Sequence, residues 1–131
     1  RPFYDNIMEE LLYYFENKIE LAKNIGLDDS QIILDPGIGF GKREIDNNII
    51  INKIYELKKF GFPILIGLSR KSFLSINDDA VEDRLPASLG VTTIAVQNGV
   101  DIIRTHDIEK TYQMLTVINR VLHPNYQESL C

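Results

Sequence analysis

The chain has 131 residues, 44% hydrophobic and 25% charged, which is enough for about one domain with a buried core. Lys and Arg number 14 against 19 Asp and Glu, a formal net charge of -5 with a pI near 5.0, which argues against a general nucleic-acid or anionic-membrane binder and leaves room for a local basic cluster around a phosphate. The one cysteine, Cys131, rules out a disulfide framework or cysteine metal site within a single chain and fits a reducing, cytoplasmic setting. No run approaches about 18 apolar residues and no signal peptide is visible, so no membrane association is expected. Arg1-Pro2 stands where a Met would open a natural chain, which reads as a piece of a longer polypeptide.

From Asp5 to about Ile25, Met8, Leu11, Leu12, Phe15, Ile19, Ala22 and Ile25 fall at helical spacing, with Asp5 as N-cap and Gly26 as the stop. Ile32 to Leu34 then reads as a short buried strand. It runs into Asp35, Pro36 and three glycines at alternate positions, 37, 39 and 41. A second helix is expected after Asp46, with Ile50, Ile54 and Leu57 on one face and Gly61 past its end. Ile64 to Leu68 is an apolar run of strand length that leads to Ser69, Arg70, Lys71 and Ser72. After a loop at Asn77 to Asp79, a third helix covers about Glu82 to Asn98, with Leu85, Leu89, Thr92, Thr93 and Val96 inward and Pro86 in its first turn. Asp101 to Ile103 forms a third strand, followed by Arg104, Thr105, His106 and Asp107. A last helix, Ile108 to about Leu122, places Tyr112, Leu115, Ile118 and Leu122 on one face.

Glycines 26, 61 and 99 thus each close a helix and introduce a strand, a helix-strand unit repeated three times. Alternating elements of this kind imply an α/β fold with a parallel sheet and right-handed crossovers. Three strands cannot close a barrel, which needs eight, so the chain is a small open sheet or the second half of a (βα)8 barrel.

The ends of the three strands carry the chemistry. Spacing excludes a P-loop at Gly37 to Lys42, because only three residues separate Gly37 from Gly41 and Arg43 follows the lysine; the dinucleotide fingerprint fails because Lys42, not glycine, stands three residues after Gly39. Asp35 can cap the Pro-Gly turn, or accept two parallel hydrogen bonds from an amidine-like edge of a guanine-like or pterin-like ring. Ser69 to Ser72 is either a solvated charged loop or a helix start that receives a carboxylate or phosphate beside Lys71. Arg104 and His106, one residue apart, point to one side if extended and suit a phosphate or pyrophosphate. His106 and His123 have no metal-ligand spacing, and His123 before Pro124 reads as a helix stop. Glu9, Glu10, Glu16 and Glu20 form the solvated face of the first helix.

Leu34-Asp-Pro-Gly-Ile-Gly-Phe-Gly-Lys42, Gly67-Leu-Ser-Arg-Lys-Ser-Phe73 and Ile103-Arg-Thr-His-Asp-Ile108, in that order and spacing, resemble dihydropteroate synthase, the folate-pathway transferase targeted by sulfonamides. Phe3-Tyr4-Asp5 is similar to the segment opening the helix after the family's fifth strand. The resemblance implies the C-terminal portion of a TIM-type (βα)8 barrel, strands six to eight with flanking helices, the first five strands being absent from residues 1–131. It implies condensation of 6-hydroxymethyl-7,8-dihydropterin pyrophosphate with p-aminobenzoate to 7,8-dihydropteroate and pyrophosphate.

By the same resemblance, Asp35 grips the pterin and Gly67 lies beneath it, while Lys71 stands between pterin and p-aminobenzoate. Phe40 borders the p-aminobenzoate ring, Gly39 is a further substrate-binding position, Ser72 meets the p-aminobenzoate carboxylate, and Arg104 and His106 hold the pyrophosphate. A Mg2+ is implied whose protein ligand lies outside this chain, as is a homodimer of the complete enzyme. Thr105 and Ile108 replace valines common in the family, a mild departure. With five strands and two substrate loops absent, the isolated chain is expected to turn over little or not at all. Other readings of the same residues are a methyltetrahydrofolate methyltransferase-type barrel, a non-catalytic pterin-binding module and an inactive fragment.

Overall fold

The structure, a computed structural model, describes residues 3–125. Helix α1 spans Ile7–Asn24, and its N-cap is Asn6, whose Oδ1 accepts the Glu9 N–H at 3.2 Å; Asp5, the expected cap, lies one residue outside. Ile7, Met8, Leu11 and Phe15 bury the inner face, as their spacing predicts. Gly26 takes the left-handed conformation that ends the helix.

The expected first strand is reduced to one bridge. Leu34 alone pairs, parallel, with Ile64: its N–H donates to the Pro63 carbonyl at 2.9 Å, and its own carbonyl accepts the Leu65 N–H at 2.8 Å. Ile32 and Leu34 are buried, but Ile33 between them is 54% exposed, so the segment is not buried on both faces as its composition implied. The alternation has a physical cause: one face packs against helices and the other has no cover among the described residues.

Helix α2, Glu44–Asn52, starts before Asp46 rather than after it, because Asp46 is itself the N-terminal anchor. Its carboxylate accepts the Arg43 N–H at 3.0 Å and the Arg43 guanidinium on both oxygens, at 2.9 and 2.8 Å. A 3-10 turn, Ile54–Phe60, continues to Gly61. The next run yields a two-residue strand, β1, Leu65–Ile66, which pairs in parallel with β2, Ile102–Ile103, in the register Leu65 to Ile102. Both strands are shorter than expected, with Gly67, Leu68 and Asp101 outside the ladder. The three segments lie in sequence order, each parallel to the next. Ile64, Ile66 and Leu68 turn to the helix side, where Ile50, Ile54 and Leu57 close the core with almost no exposure.

The third helix splits into a 3-10 turn, Val81–Arg84, and helix α3, Leu85–Gln97. Its buried residues are Ser88, Thr92 and Ala95, whereas Leu85, Leu89 and Val96 are half-buried and Ile94 is exposed. The helix is apolar nearly all round, so hydrophobic spacing alone does not orient it, and the small side chains are the ones that face the core. Helix α4, Ile108–Leu122, has the expected bounds, but Thr111 is its buried residue and Tyr112 is exposed. The Thr111 hydroxyl lies 3.2 Å from that of Thr105 and so faces the preceding loop. Cys131 lies outside the described residues. No helix among them is long and apolar enough to cross a membrane.

Candidate active site

The parallel register sets the candidate residues at one end of the sheet. Asp35, Gly67 and Arg104 follow the three paired segments on the face away from the helices. Arg104 Nη1 donates to Asp35 Oδ2 at 3.3 Å, so a residue read as a pterin grip and one read as a pyrophosphate cation are in direct contact. The other Asp35 oxygen accepts the Gly37 N–H at 2.9 Å. Asp35 therefore caps the turn with one oxygen and faces the basic side of the site with the other. Gly67 makes room for the arginine, since a Cβ there would lie 2.8 Å from Arg104 Nη2.

The glycine turn is held by residues the sequence did not single out. The buried Asn47 of α2 accepts the Gly39 N–H on Oδ1 at 2.8 Å, and Lys42 Nζ donates to the carbonyls of Gly37 and Phe40 at 2.9 and 3.2 Å. Gly39 has φ +84°, and a Cβ there would lie 2.8 Å from Lys71 Cδ, so the position is constrained in both backbone and space. Lys71 reaches across from the β1 loop, donates to the Ile38 carbonyl, and holds its ammonium 4.3 Å from the centre of the Phe40 ring. Burial, reinforced by the Arg104 charge, pushes the Lys71 ammonium below the ordinary lysine range; Asp35 partly opposes this. Burial lowers Lys42 likewise, with Asp35 and Asp46 opposing.

In the loop after β1, Arg70 is not a free cation. Its guanidinium grips both Asp107 oxygens, at 3.1 and 2.6 Å, and its φ of +58° is one that side chains other than glycine seldom adopt. Arg84 steadies the same loop by donating to the Arg70 carbonyl at 3.0 Å. Ser69 Oγ lies 3.2 Å from both the backbone N and the Nδ1 of His106. Ser72 does not begin a long helix: it opens a three-residue 3-10 turn, Ser72–Leu74, and the next α-helix starts at Leu85, so the helix-dipole argument made for Ser72 is lost.

The candidate residues line three hollows rather than one closed pocket. Asp35 and Lys42 border a space of about 390 Å3 against Tyr4, Ile7 and Leu11 of the α1 region. Gly67, Lys71, Arg104 and His106 border one of about 180 Å3, and Gly39, Asn47 and Ser72 one of about 130 Å3. The Asp35–Arg104 bond and the Lys71 side chain join them. Phe40 is 66% exposed, with the Lys71 ammonium against its ring.

A sequence profile described as pterin binding enzyme matches residues 1–106. The chain belongs to the pterin-binding enzyme family. Among curated relatives, the dihydropteroate synthase of Synechocystis sp. is 36% identical over 116 residues, covering 87% of this chain and 40% of the relative. That of Clostridium beijerinckii is 39% identical over 107 residues, 80% of this chain and 40% of the relative. The Yersinia pestis dihydropteroate synthase structure superposes with a TM-score of 0.89 at 31% identity, over 92% of this chain and 50% of that one. The Xanthomonas albilineans dihydropteroate synthase solved with 4-aminobenzoic acid gives 0.89 at 32%, over 92% of this chain and 45% of that one. The chain thus spans about 40% of the length of the curated relatives it matches, and this pterin-binding family member has the α/β fold of part of a TIM-type barrel, one of the two alternatives its three glycine-punctuated units left open and the one the resemblance implied.

Proposed function

We propose that this chain is the C-terminal portion of a dihydropteroate synthase, joining 6-hydroxymethyl-7,8-dihydropterin pyrophosphate to p-aminobenzoate. The observation that carries the reading is the convergence of an acid, two cations and an imidazole at consecutive strand ends, with Asp35 and Arg104 in contact and Lys71 and His106 beside them. Similarity to the synthases named above supports it. Asp35 meets the amidine-like edge of the pterin, displacing Arg104 toward the leaving group. Arg104 and His106 offset the charge that builds on pyrophosphate as the C–O bond at the pterin methylene breaks, and Asp35 offsets the positive charge left on the pterin. The p-aminobenzoate nitrogen, a neutral nucleophile, then forms the C–N bond and releases its proton to water. Phe40, Gly39 and Ser72 border the ring and carboxylate of that substrate, and Gly67 keeps the pterin floor flat.

The sheet face that bears the exposed Ile33 and the half-buried Leu65 and Ile102 supports a barrel whose strands one to five are supplied by sequence outside residues 1–131. Homodimer formation by the complete enzyme, a cytoplasmic location and the absence of a nucleic-acid partner belong to the same proposal. Among the described residues no three of His, Cys, Asp and Glu come together as metal ligands; a Mg2+ would be held by a protein ligand outside this chain together with the pyrophosphate, and no step above uses it. The test is product analysis with the full-length polypeptide: the reading predicts dihydropteroate and pyrophosphate in equal amounts. Pterin bound without pyrophosphate release would overturn it in favour of a binding module.

A further inference from the structure

We infer that Ser69 is a positioning residue that sets the proton tautomer of His106. The hydroxyl oxygen accepts the His106 backbone N–H at 3.2 Å, and the His106 Nδ1 lies at the same distance. Ser69 is 7% exposed. A hydroxyl so placed has one proton to give, and among the described residues His106 Nδ1 is the acceptor within reach. Donation there satisfies the serine and leaves Nδ1 without a proton, so the neutral imidazole carries its proton on Nε2. That N–H has no partner among the described residues, and His106 borders the hollow lined by Gly67, Lys71 and Arg104. His106 therefore meets an anionic oxygen as a donor beside two cations. The opposite tautomer would present a lone pair and repel it.

A second rung holds the geometry. Arg70 and Asp107, the residues that follow Ser69 and His106, form the two-point ion pair across the same gap, and the Thr105 hydroxyl receives the Asp107 N–H at 3.0 Å. Two adjacent residues of the β1 loop are thus fastened to two adjacent residues after β2, and the imidazole cannot turn without breaking the serine contact. As a role in anion binding, the inference rests on the synthase reading; as a statement about the tautomer, it does not.

The experiment is a long-range proton-nitrogen NMR spectrum of the full-length polypeptide with labelled histidine, at about pH 8, above the ordinary imidazole range, with His106 assigned by loss of its signals in His106→Gln. The expected result is a protonated Nε2 and a bare Nδ1 in the wild type and in Ser69→Thr, with Nδ1–H becoming populated in Ser69→Ala. In turnover, Ser69→Ala should lose about 10- to 100-fold in kcat/KM for the pterin pyrophosphate, the range seen for partners that orient metal-bound imidazoles, with the KM for p-aminobenzoate unchanged and most of the loss restored in Ser69→Thr. A protonated Nδ1 in the wild type overturns the inference, as does a tautomer unaltered in Ser69→Ala. If Ser69→Ala does not fold, the wild-type and Ser69→Thr spectra decide. Wild-type protein with Nε2–H and no synthase turnover would contradict the activity and leave the tautomer assignment standing; turnover with Nδ1–H would do the reverse.

Discussion

Asp35 has two neighbours of different kinds, the Gly37 N–H that shapes the turn and the Arg104 guanidinium that balances its charge. Substituting Asn keeps an acceptor for Gly37 and removes the charge. Asp35→Asn is expected to weaken pterin binding by about 10- to 100-fold, the worth of a charged hydrogen bond, with little loss of melting temperature; unchanged affinity by calorimetry would reduce Asp35 to a turn residue. Arg104→Ala is expected to reduce binding of the pterin pyrophosphate more than that of a pterin without phosphates. Equal losses for the two ligands would remove its assigned role. Both residues were legible in the sequence because each follows an apolar strand segment. Asn47 was not, because a buried amide inside an apolar helical pattern looks like an ordinary surface asparagine until the turn it serves is folded over it. The Arg70 clasp was equally hidden, because its partner Asp107 lies 37 residues away.

The order and approximate places of the four helices were legible from periodicity and helix stops, and α4 matched over its whole length. Facing directions were harder. In α3 nearly every residue is apolar or small, so the buried Ser88, Thr92 and Ala95 are chosen by close approach to the core, which spacing does not report. The start of α2 was placed late because Asp46 was taken as the residue before the helix, whereas it closes a ring with Arg43 inside the first turn. The Arg43 hydrogen bonds hold the Asp46 carboxyl below the ordinary carboxylate range, against the opposing cost of burial. A carboxyl depressed in the folded state stabilises the fold fully above its unfolded pKa, about 3.9, and that contribution disappears as pH falls through the lower folded value. Melting temperature should therefore fall less steeply below about pH 5 in Asp46→Asn than in wild type; parallel curves would contradict the role. The paired strands are short but their side chains carry the core, and Ile66→Ala, with no exposure to relieve it, should cost about 2 to 5 kcal/mol in denaturant unfolding. A loss well under that would show that the helices close over the gap.

At the scale of the whole molecule, the sheet has a finished side and an open one. Ile64, Ile66 and Leu68 are sealed on the helix side, while Ile33 on the other face is half exposed and Asp35, Gly67 and Arg104 stand at its edge. This asymmetry could not be read from the strand sequences, which are apolar throughout and look alike whether one face or both are covered. It agrees with a chain that spans about 40% of its curated relatives, and it explains why the candidate residues border three shallow hollows instead of one pocket. The proposed account is that the rest of a barrel closes this face and makes the hollows one site. The direct measurement is pyrophosphate release from the pterin pyrophosphate and p-aminobenzoate, by this chain alone and mixed with a polypeptide supplying strands one to five. Release matched by dihydropteroate is expected in the mixture, little or none with the chain alone, and a strong loss when the chain carries Asp35→Asn. Pterin binding in the mixture with no pyrophosphate released would contradict it.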